Sequence, residues 1–259
     1  MPDWPGIGSA ATRRARSSLR AALELLLPAA CAVCERLLDA SDSGIACARC
    51  WTRARALPHP RCERCGHPLS GACRWCDSLP PFVRAVRSAY WIPGGTAGAI
   101  VHALKYGGWP AVAVEMGERM ARLAWPSDVV RERTALVPVP LARIRERERG
   151  YNQSTHLARA LAQSWTLPVW SSCIERARDT TSQTRLTPLD RRRNVSGAFR
   201  LTATCPRGLR GAHVVLVDDV VTTGATLSEC AATLFAGGAR VISIVTFGRA
   251  TAPGDPIQL

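Results

Sequence analysis

The pattern of apolar and polar positions predicts strands that alternate with helices over most of the chain. Four short segments are predicted to be strands: 85–91, 135–139, 214–217 and 240–247. The last three are predicted to be buried, and 214–217 is an unbroken aliphatic run, as in a central strand buried on both faces of a parallel sheet. Apolar residues recur at helical spacing in segments 96–105, 112–123, about 153–164 and about 225–235. This alternation predicts an α/β fold with an open, mainly parallel sheet flanked by helices.

The stretch from Val214 to Leu227 carries the most specific chemistry in this pattern. Its aliphatic run ends at Asp218 and Asp219, where the strand tips of an open α/β sheet present ligand contacts. A Thr-Thr-Gly-x-Thr turn then leads into a helix, and the unpaired N–H groups of such a turn suit a phosphate monoester. Gly224 lets the main chain approach the anion.

An acidic pair beside a phosphate-binding turn predicts a sugar-phosphate site, with the ribose hydroxyls on the carboxylates and the phosphate in the turn. The alternative is a core strand whose two acids are solvated at a loop. The residues of the candidate site are Asp218, Asp219, Val220, Thr222, Thr223, Gly224, Ala225 and Thr226.

Eight of the eleven cysteines form four CxxC pairs. Each pair places two thiolates on one tight turn, and two such turns complete a tetrahedral site of four sulfurs. The simplest interpretation is two sequential structural zinc ribbons, although pairing of the first CxxC with the third is an alternative. The ligands would be Cys31, Cys34, Cys47 and Cys50 in one site, and Cys62, Cys65, Cys73 and Cys76 in the other. His59 and His67 are expected to be solvated turn residues, with substitution for a cysteine as a metal ligand as the alternative.

Too few apolar residues lie in this region for it to fold unaided, so bound metal would supply its stability. The other three cysteines, Cys173, Cys205 and Cys230, lack the paired spacing, and Cys230 is expected in the core of a helix.

Two basic segments are candidates for binding anions. Four arginines alternate along 143–149, in what we predict to be a loop that follows a strand tip and faces a helix N-terminus, as a diphosphate site requires. Glu146 and Glu148 favour the alternative of a self-paired surface loop. Seven further arginines lie in 176–200, a polar and poorly periodic stretch that we expect to be a mobile lid.

Lys105 is the only lysine of the chain, and it ends a predicted helix beside the Gly107-Gly108 turn. It is a further candidate for diphosphate binding. The alternative is a solvated lysine that the dipole of the helix C-terminus favours.

The formal net charge of +14, with a pI near 10.1, favours polyanionic partners, either nucleic acid or phosphorylated small molecules. No apolar run approaches the roughly 18 residues of a membrane span. Residues 13–31 have some features of a signal peptide, but Glu24 interrupts the apolar part and Cys31 belongs to a CxxC pair. We therefore predict no export and a reducing cytoplasm, with peripheral contact to the membrane through 19–27 as an alternative.

These separated motifs together resemble the ComF family over about residues 31–249. The residues that carry the resemblance are the four CxxC pairs, Leu104-Lys105-Tyr106, Pro138-Val139-Pro140, Arg147 through Gln153, the run Arg176 to Gln183 with Leu186, Arg191 or Arg192 with Asn194, Gly197-Ala198-Phe199, and Leu216 to Thr226.

The resemblance implies a double zinc ribbon ahead of a domain with the type I phosphoribosyltransferase fold. The corresponding boundaries are a basic tail and short helix over 1–28, the zinc ribbons over 29–80 and the phosphoribosyltransferase-like domain over 81–259. It also implies binding of 5-phosphoribosyl-1-diphosphate (PRPP) with Mg²⁺, and a link to natural competence, the uptake of single-stranded DNA, with competence or DNA-translocation proteins as partners.

For the site, the resemblance implies that Asp218, Asp219, Lys105 and Arg149 carry the chemistry, and that Arg147 and Gly150 also bind PRPP. The sequence RERERG leaves open which arginine corresponds to that of the family. Type I enzymes displace diphosphate from C1 of PRPP through charge stabilisation and orientation, without a protein nucleophile. No pocket for a particular acceptor is recognisable.

The alternative function is a non-enzymatic adaptor that binds single-stranded nucleic acid and keeps the PRPP site only as a sensor or a vestige. In that interpretation Trp51 and Trp75 of the zinc ribbons would stack on bases.

Overall fold

The computed structural model describes residues 29–39, 42, 44–69, 73, 75–92, 95–178 and 195–251. The helix predicted at 19–27 and most of the predicted lid, 179–194, lie outside these residues. In the described part of the chain, no helix is long and apolar enough to cross a membrane.

Six strands and seven α-helices make up the regular structure of the described residues. The strands are β1 Val83–Ile92, β2 Arg133–Pro138, β3 Ile174–Arg176, β4 Phe199–Leu201, β5 His213–Val221 and β6 Val241–Ala250. The helices are α1 Ala48–Arg53, α2 Gly95–Tyr106, α3 Val112–Ala121, α4 Ser127–Glu132, α5 Arg143–Arg149, α6 Gln153–Trp165 and α7 Ala225–Ala236. Short 3₁₀ turns lie at Trp75–Ser78 and Arg207–Leu209.

A parallel sheet in the order β1-β6-β5-β2 forms the centre of the fold, which confirms the predicted class. The run Val214–Val217 in β5 is fully buried, because helices cover both faces of the sheet. Helix α7 and the antiparallel pair β3–β4 pack on one face, and α1, α2, α3 and α6 pack on the other. The acidic pair therefore lies near the carboxyl end of β5, and the turn 222–226 follows it directly.

Two elements differ from the sequence-based prediction. Strand β5 continues through the acidic pair to Val221, because β6 continues to pair with it as far as Arg249. The arginine-rich segment is the helix α5 rather than a loop, since arginine and glutamate are good helix formers and Gly150, at φ 81°, ends the helix in the left-handed conformation.

Two of the three cysteines outside the CxxC pairs, Cys173 and Cys205, are joined by a disulfide that links the residue before β3 to the turn after β4. The spacing of these two cysteines in the sequence did not predict this pairing, because their proximity depends on how β3 and β4 pair. Cys230 is fully buried in α7, as predicted.

The eight cysteines of the CxxC pairs gather into two clusters that are sequential along the chain: Cys31, Cys34, Cys47 and Cys50, then Cys62, Cys65, Cys73 and Cys76. Neighbouring Sγ atoms lie 3.7–3.8 Å apart in the first cluster and 3.3–3.7 Å apart in the second. Tetrahedral zinc with Zn–S bonds of about 2.3 Å requires S···S distances of about 3.8 Å. The two clusters therefore fit two structural zinc ions, and the sequential pairing is the one adopted.

The first zinc ribbon is packed on the face of α3 through Glu115. This carboxylate accepts hydrogen bonds from the backbone N–H of Ile45 at 2.6 Å and from the indole N–H of Trp51 at 2.5 Å. The Arg119 guanidinium lies 3.9 Å from the centre of the Trp51 ring. Trp51 is only 6% exposed, so the prediction that it stacks on bases is wrong. Its side chain instead packs the first ribbon against the sheet domain.

The second zinc ribbon covers the edge strand β1. Backbone bonds run from Leu57 N–H to Ala89 C=O at 3.0 Å and from Val86 N–H to Arg64 C=O at 2.7 Å. These bonds occupy polar groups that an open sheet edge would leave unpaired. His67 is buried against Trp75 and Trp91 rather than solvated as expected, because its turn faces this strand.

We predict that freshly purified, reduced protein carries about two zinc ions per chain. Cys34→Ser and Cys65→Ser should each remove about one ion, because each belongs to a different cluster. Cys230→Ala removes a cysteine outside both clusters and should keep two. Elemental analysis measures the content; protein without zinc, or loss of both ions in Cys34→Ser, would contradict two independent clusters.

We also predict that Glu115→Ala lowers the free energy of unfolding by about 2 kcal/mol, since two partly buried N–H donors lose a charged acceptor. Zinc should then leave the first cluster faster than the second when a chelator is added. Glu118→Ala on the exposed side of the same helix is the control and should change neither quantity. Chemical denaturation and a chelator competition assay measure them; equal behaviour of the two variants would refute this role of Glu115.

Candidate functional site

A cleft of about 420 Å³ lies at the carboxyl ends of β2 and β5. Helix α7 begins on one side of it, and α2 ends and α5 runs along the other. In the described part of the chain, its polar lining consists of Lys105, Tyr106, Arg145, Arg149, Gln153, Arg176, Asp218, Asp219, Thr222 and Thr226. The cleft thus joins residues from four segments of the chain that the sequence keeps up to about 120 positions apart.

The acidic pair is held by partners from two different helices. The Lys105 Nζ lies 2.9 Å from Asp219 Oδ2, in an ion pair in which the Asp219 side chain is 4% exposed. The Ser154 hydroxyl, at the start of α6, donates to Asp218 Oδ1 at 2.8 Å. The backbone N–H of Asp219 donates to the same Oδ1 at 2.9 Å. Both carboxylates are therefore fixed before any ligand arrives.

The electrostatic surroundings of Asp218 oppose its ionisation. Burial, and then the neighbouring charge of Asp219, raise the pKa of Asp218 to about 7, although Ser154 and Lys105 oppose the rise. Burial lowers the pKa of Lys105, but the charge and hydrogen bond of Asp219 outweigh it, so that this pKa is raised overall. Two carboxylates therefore face one firmly protonated lysine.

The predicted phosphate turn lies between β5 and α7. Gly224 is the N-cap of α7 at φ 74°, ψ 0°, a left-handed conformation that glycine adopts without strain. The first turn of the helix leaves N–H groups without intrahelical acceptors, and these concentrate positive potential at the cleft. Thr222, Gly224, Ala225 and Thr226 line the cleft. Thr223 does not; it lines a small cavity behind the turn.

Helix α5 presents alternate arginines to opposite sides. Arg145 and Arg149 are four residues apart, share a helix face and line the cleft. Arg147 points elsewhere, with its Nε near the carbonyl of Arg143, and Gly150 serves as the helix cap. The predicted PRPP residues Arg147 and Gly150 are thus not in the cleft lining, and Arg145 is there instead.

The end of α2 and the start of α6 are tied together beneath the cleft. The Tyr151 hydroxyl donates to the carbonyl of Leu104, the residue before Lys105. Asn152 caps α6 by accepting from the Ser154 N–H at 2.9 Å, and its amide donates to Val139 C=O at 3.0 Å. These bonds hold Lys105 and Ser154 on opposite sides of the acidic pair.

Four polar residues of the cleft lining were not among the predicted site residues: Tyr106, Arg145, Gln153 and Arg176. Ser154 was also missed as the partner of Asp218. A helical interpretation of 143–149 would have paired Arg145 with Arg149 at spacing i, i+4. Ser154 gave no comparable signal, because its contact depends on how α6 packs against β5.

A second, larger cleft of about 890 Å³ adjoins the first, and the two share Pro140, Leu141 and Arg176. Its lining includes Arg143, Arg159 and Arg200, together with several hydroxyl groups: Thr155, Ser171, Ser172, Thr202 and Thr204. Arg143 and Arg200 both bond Glu175, at 3.2 and 2.8 Å, while Arg159 is exposed. Glu146 and Glu175 also line this second cleft, so its arginines are partly balanced by acidic groups.

Comparison with known proteins matches both parts of the chain. The double zinc ribbon domain family matches residues 22–79, and the phosphoribosyl transferase domain family matches residues 128–258. The chain is 34% identical over 231 residues to the DNA utilization protein YhgH of Salmonella typhi and 32% identical over 232 residues to that of Escherichia coli K12.

The chain is also 28% identical over 233 residues to the competence protein F of Haemophilus influenzae. Each of these alignments covers 85% of this chain and 96% of the relative. With two domain matches in the same order as the two structural parts, and with relatives aligned over nearly their whole length, the protein belongs to the ComF family, a double zinc ribbon followed by a phosphoribosyltransferase domain.

Proposed function

We propose that the cleft binds PRPP together with Mg²⁺ and that the protein serves the utilisation of DNA taken up by the cell. The observation that carries the proposal is the meeting, in one cleft, of a helix N-terminus, an acidic pair and two arginines. These are the groups that a phosphate monoester, a ribose and a diphosphate each require.

In this arrangement the 5-phosphate lies at Thr222–Thr226, on the N-terminus of α7. The ribose 2′ and 3′ hydroxyls donate to Asp218 and Asp219. The diphosphate then extends towards α2 and α5, where Lys105, Arg145 and Arg149 supply positive charge. Carboxylate and phosphate oxygens are the ligands that Mg²⁺ prefers, so these residues suit the metal complex of PRPP.

If transfer occurs, the C1–O bond to diphosphate breaks while an acceptor bonds C1 and loses a proton. Diphosphate leaves with the electron pair, and the lysine and the arginines stabilise its added negative charge. Binding without transfer corresponds to the adaptor alternative. Release of diphosphate from PRPP, with bases, nucleosides or DNA ends as acceptors, distinguishes the two.

The link to DNA is supported by the relatives, which are named for DNA utilization and competence, and by the charge of the chain. The second cleft adds arginines and hydroxyl groups, the side chains that most often contact phosphodiester backbones. We therefore propose single-stranded DNA as the macromolecular partner.

We predict that the double variant Asp218→Asn, Asp219→Asn binds PRPP at least about tenfold more weakly, equivalent to roughly 1.4 kcal/mol. Charge-assisted bonds to the ribose hydroxyls contribute roughly 1.5–3 kcal/mol each, and asparagine retains part of them through its carbonyl. Removing two negative charges would by itself favour an anion, so a net loss identifies hydrogen bonding or Mg²⁺ contact.

Titration calorimetry with Mg²⁺ measures this affinity, with Glu118→Gln on the exposed side of α3 as the control. Because Lys105 is the only lysine of the chain, its rate of acetylation is a second readout, and bound PRPP should slow it in the parent protein. Equal or tighter PRPP binding by the folded double variant would refute the ribose assignment.

The single variant Asp218→Asn should be more stable than the parent protein above pH 7. The folded protein keeps the proton of Asp218 up to about pH 7, whereas the ordinary pKa of this group is 3.8. The folded state thus binds more protons between these values, and its stability falls as the pH rises through them. Asparagine does not ionise, so the variant avoids this loss of unfolding free energy, which is on the order of 1–4 kcal/mol.

Both hydrogen bonds to Asp218 end on Oδ1, so asparagine retains both of them with its carbonyl oxygen in that place. Thermal unfolding from pH 4 to pH 8 measures the effect, and the two proteins should converge near pH 4. A variant that is less stable than the parent at pH 8 would show that the ionised Asp218 is stabilising in the fold.

A further inference from the structure

The turn 222–226 has the large cleft on one side and the second zinc ribbon on the other. A cavity of about 30 Å³ separates the turn from Cys65 and Trp75 of the ribbon. Thr222 and Gly224 line both this cavity and the large cleft. The cavity has room for about two water molecules at most. It therefore marks a close approach of the ribbon to the turn rather than a ligand site of its own.

Arg249 connects the ribbon to the strand that carries the turn. It lies near the carboxyl end of β6, is only 7% exposed and lines the same small cavity. Its Nη2 donates to the carbonyl of Cys65 at 2.6 Å, across 184 positions of the chain. Its main chain is paired in the sheet with Val221, the residue before the turn. Arg249 therefore joins a residue of the second cysteine cluster to the start of the turn.

Close packing on β1 fixes the position of the Cys65 carbonyl. The next residue, Gly66, has φ 66°, and a Cβ there would lie 2.4 Å from the carbonyl oxygen of Val86. The Val86 N–H donates to the carbonyl of Arg64 at 2.7 Å. Because these contacts hold the ribbon in one register on β1, the bond to Cys65 keeps the Arg249 guanidinium at one place beside the turn.

Arg249 also places a positive charge near two groups that carry negative charge. Four thiolates around one Zn²⁺ leave the second cluster with an excess of two negative charges. A phosphate monoester on the turn carries a further charge of about −1.5 to −2 at neutral pH. A guanidinium does not lose its proton in proteins, and water and salt screen buried charges less than exposed ones. Arg249 can therefore stabilise the cluster and the phosphate together.

We infer that Arg249 is a positioning residue for the phosphate turn and that it couples zinc in the second cluster to the binding of the sugar phosphate. The inference rests on the proposed function, because it takes the 5-phosphate of PRPP as the ligand of the turn. Such coupling is reciprocal: zinc in the second cluster strengthens PRPP binding, and PRPP strengthens zinc binding, by the same factor. The first cluster should be uncoupled, since, in the part of the chain that the structure describes, none of its cysteines lines the small cavity.

The first test uses the unaltered full-length protein with both zinc ions. A competing chelator is titrated to equilibrium with Mg²⁺ present, with and without saturating PRPP, and Cys34→Ser and Cys65→Ser identify the zinc of each cluster. PRPP should raise the zinc affinity of the second cluster about 5- to 150-fold, the usual range for coupled sites, and leave that of the first unchanged. No effect on the second cluster would overturn the inference. Equal effects on both clusters would also overturn it, because they would show only that PRPP stabilises the whole fold.

The second test replaces Arg249 and measures PRPP affinity by calorimetry with Mg²⁺. Arg249→Gln removes the charge and should weaken PRPP binding about 5- to 150-fold. At saturating PRPP it should also abolish the effect of PRPP on the second zinc ion. Arg249→Lys keeps the charge and should lose less affinity than Arg249→Gln. Arg240→Gln is the matched control, since it removes an exposed arginine just before the other end of β6, and it should match the parent protein.

A folded Arg249→Gln with the PRPP affinity of the parent, or an Arg249→Lys no better than Arg249→Gln, would contradict a role for this charge at the turn. If Arg249→Gln does not fold, the chelator titration of the unaltered protein still decides. PRPP binding by the parent keeps this failure apart from that of the proposed function. A parent that binds PRPP without the coupling refutes the inference alone, and a parent that does not bind PRPP refutes both.

Discussion

The site depends on keeping two adjacent carboxylates, Asp218 and Asp219, together at a buried strand end. Burial and the neighbouring charge of Asp219 oppose the ionisation of Asp218, and one lysine, one serine hydroxyl and one backbone N–H hold the pair in place. Each of these groups arrives from a different element, so α2, α6 and β5 must all be in place before the pair is tolerated. The unfavourable electrostatic free energy that remains at the acidic pair is typical of ligand-binding sites.

The zinc ribbons are part of the same packing. The first ribbon shares its core with α2 and α3 through Trp51, and the second covers the open edge of β1. Removal of this region would expose an apolar helix face and an unpaired strand edge together. The metal clusters therefore stabilise the sheet as well as the turns that contain the cysteines. The parallel sheet then fixes where the strand ends meet.

Local signals were sufficient for much of this arrangement. Continuous aliphatic runs revealed the buried strands, helical spacing revealed α2, α3, α6 and α7, and the CxxC spacing revealed two Cys₄ clusters. Where competing local signals existed, the prediction failed: 143–149 contains alternating charges that also suit a loop, but its strong helix formers and the cap at Gly150 made it α5. This one difference exchanged Arg147 for Arg145 in the cleft.

The sequence by itself determined the class of fold, the cysteines of the two clusters, the acidic pair and the glycine turn that follows it, because each depends on neighbours within a few positions. Only the tertiary structure decided which CxxC pairs combine, that Trp51 is buried, that Cys173 meets Cys205, and that Ser154 and Lys105 hold opposite members of the acidic pair. These contacts join residues 8 to 114 positions apart, or bury one side chain against another element. The packing of helices on the two faces of the sheet brings these residues together, and no local spacing records it.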